Sequence, residues 1–546
     1  MTTATAYRVV IGLETHVQLR TQSKMFCGCA ADYANARPNT HVCPVCLGMP
    51  GVLPVINREA VDHTIRTGLA LNCEIPEYAK FDRKNYAYPD LMKWYQISQY
   101  DLPLCINGHF DVEADGATTR VGITRVHLEE DTARLTHVTA ADGAPASLID
   151  VNRSGAPLME IVSEPDIQTP AEAMAYGEKL RALLRWIGVS TANMEDGALR
   201  IDANISVWPQ GKPIGDVKVE VKNMNSFRAL GRALAFEIER QTGRRERGEA
   251  IEQETRGWDE TSGTTRSQRT KEYAHDYRYF PEPDLPPLHI TRQRVDALRA
   301  ALPRMPDQVA ADLIQQGAPE ADVAELVQDR PLTDYTLAVL EAGAPADQAV
   351  TWIVHELRRA LNAHTARQPR DSGKPSALPP SPGRPSHSVR NLEGVAALHP
   401  LQGERQVRSS SAETGEGSSG QPSLGLRSSH EDGTNRGEDQ APPHRPSPGT
   451  TIPIPPTEIA ALLDLRTRGA VSSTMAGEVL DEMFATGKSA ESIVQARGPQ
   501  ISGQDELLAI ARQVIQENPQ AVQDYRDGKG RALQFLMGQV MRITRG

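Results

Sequence analysis

Leu199-Arg-Ile-Asp-Ala-Asn-Ile-Ser-Val207 alternates apolar and polar residues one for one. Successive side chains of an extended chain point to opposite faces, so this stretch fits a sheet with one buried and one polar face. Asp202 and Asn204 stand on the polar face. Working outward, short β-patterned runs recur at residues 7–11, 119–123 and 217–221, while 170–187 and 226–241 read as helices. Strand-rich and helix-rich stretches are mixed without a regular βαβ rhythm, which predicts an α+β fold rather than a doubly wound sheet.

From about residue 291 the pattern turns helical. Val350, Ile353, Val354, Leu357 and Leu361 share one helical face. Residues 365–452 then hold no Phe, Trp, Tyr, Met or Cys, and no Ile before Ile452. Such a segment cannot bury enough apolar surface to offset chain entropy, and the composition predicts disorder. A helical module resumes near Pro456, and Leu507, Leu508, Ala511, Val514 and Ile515 are expected to form a core-facing stripe. The expected division is a strand-rich domain over 1–290, a helical domain over 291–364 and 453–475 interrupted by 365–452, and a small helical tail over 476–546. There is no internal repeat.

A chain of 546 residues is long enough for two to four cores. Its net charge of −11 argues against broad nonspecific nucleic-acid binding but leaves room for a local basic patch. The end of the tail offers one, because Arg526, Lys529, Arg531, Arg542 and Arg545 outnumber Asp524 and Asp527; a solvated helical face is the other reading. No run of about twenty apolar residues suggests a membrane span. The first residues lack the basic and apolar regions of a signal peptide, so a cytoplasmic location is expected.

Six cysteines in a long cytosolic chain argue against a disulfide framework. Cys27-Gly-Cys29 and Cys43-Pro-Val-Cys46 instead form two close thiol pairs, able to present four thiolates to a structural Zn²⁺. Buried free thiols are the alternative. In Gly12-Leu-Glu-Thr-His-Val-Gln-Leu19, an extended chain puts Glu14, His16 and Gln18 on one face, either as divalent-metal or phosphate-site residues or as a solvated strand face. Arg125-Val-His-Leu-Glu-Glu-Asp131 crowds three acids beside a histidine. Like charges so close call for a cation, and Mg²⁺ with ATP phosphates supplies one; a solvated acidic turn is the competing reading. Glu160, Glu220 and Lys222 lie in further polar stretches. There is no P-loop or dinucleotide fingerprint, and no glutaminase constellation: Gly417-Ser-Ser-Gly420 falls in the low-complexity segment.

Assembled, these stretches closely resemble the B-subunit family of the bacterial aspartyl/glutamyl-tRNA amidotransferases. The matching segments include 12–19, 42–51, 81–91, 123–134, 155–166, 197–207, 220–228 and 271–288, the last containing Ala274-His-Asp-Tyr-Arg-Tyr-Phe-Pro-Glu-Pro-Asp-Leu-Pro-Pro-Leu288. The resemblance implies a cradle-like catalytic domain, a helical domain and a tail that contacts tRNA. It implies ATP-dependent phosphorylation of the side-chain carboxylate of a misacylated Glu- or Asp-tRNA, followed by amidation with ammonia from a partner amidase A subunit, in a complex with a small C subunit. It further implies that His16, Glu130 and Glu160 are catalytic, that Glu14, Glu129, Asp202, Glu220 and Lys222 hold the nucleotide, and that Glu14, His16, Glu129 and Glu130 hold Mg²⁺. Two rival readings are a zinc-stabilised tRNA-binding subunit without catalysis and a stand-alone amide ligase similar to glutamine synthetase. The chain departs from the family motif at Met92 and Trp94, where Pro and Gly are usual, and at Trp208, where a basic residue is common. Without that glycine, a left-handed turn lacks its easiest residue.

Overall fold

The computed structural model of the chain describes residues 7–139, 142–270, 277–367, 452–497 and 504–544. Nearly all of 365–452, with the segment read as disordered, lies outside them, as does Arg545. The strands in chain order are β1 (Tyr7–Gln18), β2 (Tyr78–Ala79), β3 (Asp82–Asn85), β4 (Tyr95–Ser98), β5 (Cys105–Ala114), β6 (Ala117–Glu130), β7 (Arg134–Thr139) and β8 (Pro145–Asp150). They continue as β9 (Pro157–Ser163), β10 (Leu199–Pro209), β11 (Val219–Met224), β12 (Glu254–Asp259), β13 (Thr264–Thr270), β14 (Phe280–Pro281) and β15 (Leu288–His289). Eight of them form one sheet in the order β13-β12-β11-β10-β1-β9-β6-β5. β14, β3 and β4 make a second, three-stranded sheet.

The stretch at 199–207 lies in β10 and behaves as its alternation requires. Leu199, Ile201, Ala203, Ile205 and Val207 are buried, while Arg200, Asp202 and Asn204 face the other way. β1 does the same, burying Ile11, Leu13, Thr15 and Val17 and turning Glu14, His16 and Gln18 to the polar face. Helices α2 (Pro170–Trp186) and α3 (Phe227–Glu246) pack together on the apolar side, and Tyr176, Leu180, Leu230 and Leu234 join the strand residues in one core. Each fully buried Leu or Ile there contributes roughly 1.5–3 kcal/mol. A one-residue slip of β1 would exchange that set for Glu14 and His16, so the buried face pins the register that builds the polar one.

Both helices start where the sequence signals a start. Thr169 caps α2 in a reciprocal capping box with Glu172, with Pro170 in the first turn, and the Ser226 hydroxyl caps α3. The sheet is antiparallel except for β11 and β12, which are parallel neighbours joined through α3. One βαβ unit is thus embedded in an otherwise α+β layout, and its single copy leaves no rhythm to read.

α1 (Arg58–Ala70) packs against β5 and β6. The helical region runs through α4 (Arg292–Ala300), α5 (Pro306–Gln315), α6 (Glu320–Leu326), α7 (Arg330–Glu341), α8 (Ala346–Trp352) and α9 (Arg358–Arg367). It resumes with α10 (Pro456–Thr467), α11 (Ser473–Thr486) and α12 (Ala490–Arg497). Val350, Ile353, Val354, Leu357 and Leu361 are all buried, with a π turn over Ile353–Leu357 absorbing the drift of the stripe. α10 packs on α7 and α8, and Tyr335 donates its hydroxyl to the carbonyl of Ile454 at 2.9 Å. The helical unit therefore includes α10–α12, and a division at 475/476 falls inside α11. The last helices, α13 (Gln504–Glu517), α14 (Pro519–Arg526) and α15 (Gly530–Thr544), pack on one another.

The stripe expected in α13 is narrower than its sequence suggests. Val514 is buried and Leu507 and Ala511 are half-buried, but Leu508 and Ile515 are 48% and 49% exposed. Among the described residues α13 packs mainly against α14 and α15, and they cover a single row of its side chains. No helix among the described residues is long and apolar enough to cross a membrane.

Trp94 keeps the left-handed conformation that glycine would favour, at φ 62°, with its amide bonded to the Leu91 carbonyl at 3.1 Å and its side chain 70% exposed. Holding a bulky residue there costs about 1–2 kcal/mol. Trp94→Gly is therefore expected to raise stability by about 1 kcal/mol, part of the gain being offset by the freer unfolded glycine. The check is a higher urea midpoint at unchanged slope; an unchanged or lower midpoint would show that the turn is not strained. Trp208, a further departure, covers an arginine: the Arg245 guanidinium stacks 4.0 Å from its ring centre.

Candidate active site

The polar face of the large sheet concentrates charge at its middle strands. Glu14 pairs across to Asp202, and His16 pairs to Arg200 on one side and to Glu160 on the other. Glu160 in turn pairs with His127 on β6. Directly opposite residues on one face of an antiparallel sheet bring their side chains within contact. His16 Nε2 accordingly lies 3.3 Å from Glu160 Oε2 and 3.8 Å from Glu129 Oε1. His16, Glu129 and Glu160 each offer a ligand atom, all within 4.8 Å of one another, so this trio could hold a divalent cation.

Its electrostatics suit one. Burial raises the Glu129 carboxyl, and the negative Glu160 raises it further, so the pair lacks positive charge. His16 supplies some of it. Burial alone would lower its pKa, but the hydrogen bond to Glu160 and the fields of Glu160, Glu129 and Asp202 bring it up to about 9. The second imidazole on the same carboxylate behaves oppositely. His127, 3.5 Å from Glu160, is pushed down to about 4 by burial, against the attraction of Glu160. One carboxylate thus sits between a charged and a neutral histidine.

A cavity of about 360 Å³ opens beside His16 and Glu129 of this trio, lined also by Lys84, Tyr86, Arg200, Asp202 and Lys222 among others. Lys84 makes no ion pair among the described residues; its ammonium lies 5.0 Å from the Tyr277 ring centre and 5.8 Å from that of Tyr86. Burial opposes its charge, but Glu129 and Glu160 hold its pKa above the usual lysine range. Lys222 pairs with Asp202 and, at 3.1 Å, with Glu220. Arg200 reaches Asp131 at 3.3 Å, while its buried Nε has no partner among the described residues.

The other sequence-selected residues are not all brought to the trio. Glu130 turns to the opposite side of β6 from Glu129, where its carboxylate takes a hydrogen bond from Lys93 at 2.7 Å and one from the Ile97 amide at 3.0 Å. Adjacent strand residues face opposite ways, so Glu129 and Glu130 cannot share one ion. Glu14 is on the right face but accepts from the Asn204 amide at 2.9 Å, outside the trio. Glu220 is buried behind Lys222 and accepts from the Thr255 hydroxyl at 2.7 Å. Asp131 is buried and bonded by Gln18 at 2.6 Å. Lys84, Tyr86, His127 and Arg200 were not selected from sequence. Arg200 carried a signal, since it stands one position before Ile201 on the polar side of the alternation; Lys84 carried none, because β3 reaches the cavity only through the second sheet.

A second cluster stands apart from the trio. Cys27, Cys29, Cys43 and Cys46 place their sulfurs within 4.8 Å of one another, and Cys43 and Cys46 are 3.9 Å apart. Zinc–sulfur bonds of about 2.3 Å in a tetrahedron require sulfurs about 3.8 Å apart, so the four thiols fit such an ion. The hydrogen bond from Cys27 holds the Cys46 thiol down to about 4 against burial, helped by buried Lys24. Gly48 ends this knuckle at φ 66°; a Cβ there would lie 2.5 Å from Lys93 Cγ, so only glycine lets the knuckle backbone pass this close to the turn that carries Lys93.

Residues 9–296 match the GatB/GatE catalytic domain family, and residues 447–546 match the GatB domain. Over 545 residues the chain is 46% identical to the B subunit of the aspartyl/glutamyl-tRNA(Asn/Gln) amidotransferase of Dehalococcoides mccartyi, covering 99% of this chain and 96% of that one. Its counterpart of the same description from Moorella thermoacetica is 45% identical over 542 residues, with the same shares. That from Thermomicrobium roseum is 44% identical over 551 residues, covering 99% and 95%. With a catalytic-domain match across more than half of its length and relatives alike along nearly all of it, the chain belongs to the GatB/GatE family, among the B subunits of the aspartyl/glutamyl-tRNA(Asn/Gln) amidotransferases.

Proposed function

We propose that this chain activates the side-chain carboxylate of Glu-tRNA(Gln), Asp-tRNA(Asn) or both with ATP, as one component of a glutamine-dependent carbon–nitrogen ligase. The observation that carries the reading is the His16–Glu129–Glu160 trio, of which His16 and Glu129 line a cavity shared with Lys84, Arg200 and Lys222. An oxygen of the substrate carboxylate attacks the γ-phosphorus, ADP leaves, and ammonia then displaces phosphate from the acyl carbon. Both first reactants are anions, and their approach needs fixed positive charge in a site shielded from water. Mg²⁺ held by His16, Glu129 and Glu160 would neutralise phosphate and carboxylate charge when bound. Lys84 and Arg200 add cationic groups beside it, the first held over tyrosine rings and the second with Nε unpartnered. Lys222, fixed by Asp202 and Glu220, orients what enters from β11.

Ammonia comes from a partner amidase A subunit, with a small C subunit completing the assembly. Zn²⁺ on the four cysteines is structural, since four thiolates leave no open position. The tail helices hold the tRNA body through their basic residues, of which Arg526, Lys529, Arg531 and Arg542 lie among the described positions, Lys529 paired with Asp524 at 3.0 Å.

The test is amidation by the purified three-subunit complex with each misacylated tRNA, ATP and Mg²⁺, using glutamine or ammonia. ATP-dependent product on tRNA is expected. A chain ending at Arg497 should show a raised KM for aminoacyl-tRNA and a weaker dependence of affinity on salt. Binding of tRNA without ATP turnover would favour a non-catalytic RNA-binding role, and amidation of free glutamate would favour a stand-alone ligase.

A further inference from the structure

A run of aromatic rings leads out of the cavity and takes no part in the reaction as described. Tyr86 lines the cavity and meets Tyr277 edge to face, with ring centres 5.7 Å apart. Tyr277 meets Tyr279 in the same way at 5.9 Å. Tyr279 then stacks flat on Tyr100, at 4.2 Å and 5° between planes. The run goes from half-buried rings to an open one: Tyr100 is 57% exposed, and with Tyr279 on one face, its free surface is the other face and the edge.

The backbone holds these rings in place. Asn85 donates its amide N–H to the Tyr277 carbonyl at 2.9 Å and its side-chain nitrogen to the Arg278 carbonyl at 2.8 Å. The Tyr100 amide donates to Asp82 at 3.3 Å. Lys84 adds a cation beside Tyr86 and Tyr277. Core packing does not call for this arrangement, because a core aromatic such as Tyr176 is wholly enclosed, whereas here stacking is extended outward to an exposed ring.

Flat, rigid rings in series with a nearby cation suit unpaired nucleobases, which stack on aromatic side chains regardless of sequence. We propose that this run is a stacking track for the unpaired 3′ nucleotides of aminoacyl-tRNA, leading the esterified amino acid to the trio. The inference rests on the function proposed above and adds where the RNA end lies. ATP could offer its adenine to the same chemistry, but it carries a single base, whereas several rings running from the cavity to the surface suit consecutive bases still joined to a body outside.

The experiment measures tRNA binding by the full-length chain, with amidation by the complex read separately. Tyr100→Ala should weaken binding of intact tRNA about tenfold, within the range seen when one stacking ring is lost. Tyr100→Phe, which keeps the ring, should stay within about twofold. On tRNA trimmed of its unpaired 3′ nucleotides, the Tyr100→Ala loss should vanish, which a merely structural role for the ring would not produce. Equal weakening on intact and trimmed tRNA, or no weakening at all, would overturn the track. A rise in the KM for ATP with unchanged tRNA binding would also overturn it, assigning the rings to adenine. If amidation by the wild-type complex persists in any of these cases, only the track fails; if the wild type does not amidate tRNA, the underlying function fails with it.

Discussion

Replacing His16 with alanine is expected to lower ATP-dependent amidation of aminoacyl-tRNA by about 10³-fold, even with free ammonia supplied, while the melting temperature stays near that of the wild type. The magnitude is that of losing a positioned acid–base or metal-holding group. His16 contacts two carboxylates that repel each other, Glu129 and Glu160, and its removal leaves them without the imidazole that balances them. Its side chain is part of the cavity wall rather than the core, so little packing is lost. Glu130→Ala is the instructive contrast. Glu130 faces away from the trio and holds Lys93 and the Ile97 amide. Removing one partner of a buried ion pair costs about 3–5 kcal/mol, because the other charge is left stranded. Glu130→Ala should therefore fail mainly by lowering the melting temperature, and at temperatures where it is folded it should keep more activity than His16→Ala. Near-normal amidation by His16→Ala would sink the site. A Glu130→Ala protein as stable as wild type and as inactive as His16→Ala would return Glu130 to the machinery.

That contrast also marks what could be read from the chain. Strand alternation is a two-residue code, and Glu14, His16 and Asp202 lie on the face where extended strands put them. The same code separates Glu129 from Glu130, so a motif of adjacent acids can offer only one of them to any single cation on that face. Neighbouring strands were a different matter. β1 lies between β10 and β9, segments about 190 and 145 positions away, and no local pattern states which strands will be adjacent. The meeting of His16 with Glu160, and of Glu160 with His127, follows from that order and not from either stretch alone. Lys84 and Tyr86 were hidden for the same reason, Lys84 on β3 of a separate sheet and Tyr86 just past its end. The tail erred in the other direction. The apolar periodicity of α13 is real, but burial depends on how many helices surround it, and Leu508 and Ile515 stay exposed because too few do.

The cysteine cluster was the most legible feature because its four thiols are close in sequence, and it carries the second large effect. Cys43→Ser is expected to remove most bound zinc, which should be one ion per wild-type chain by elemental analysis, and to lower stability by several kcal/mol. The size follows from the coupling of ligand binding to folding: structural zinc contributes about 10–16 kcal/mol in small isolated domains, of which a large scaffold with its own core needs only part. The consequence should reach past the knuckle. Gly48 brings the knuckle backbone close beside Lys93, where a Cβ would not fit, and Lys93 holds Glu130, whose carboxylate fixes the Ile97 amide on β4. Ser98, next along that strand, donates to Glu129 at 3.3 Å. Loosening the knuckle should therefore soften the site through this chain of contacts, reducing amidation by about tenfold where His16→Ala reduces it by about 10³-fold. A chelator strong enough to strip the four thiolates should reproduce the Cys43→Ser loss in wild type and add nothing to it in the variant. Wild-type protein free of zinc, or a Cys43→Ser chain with unchanged zinc content and melting temperature, would show that the four sulfurs are a packed set of thiols instead.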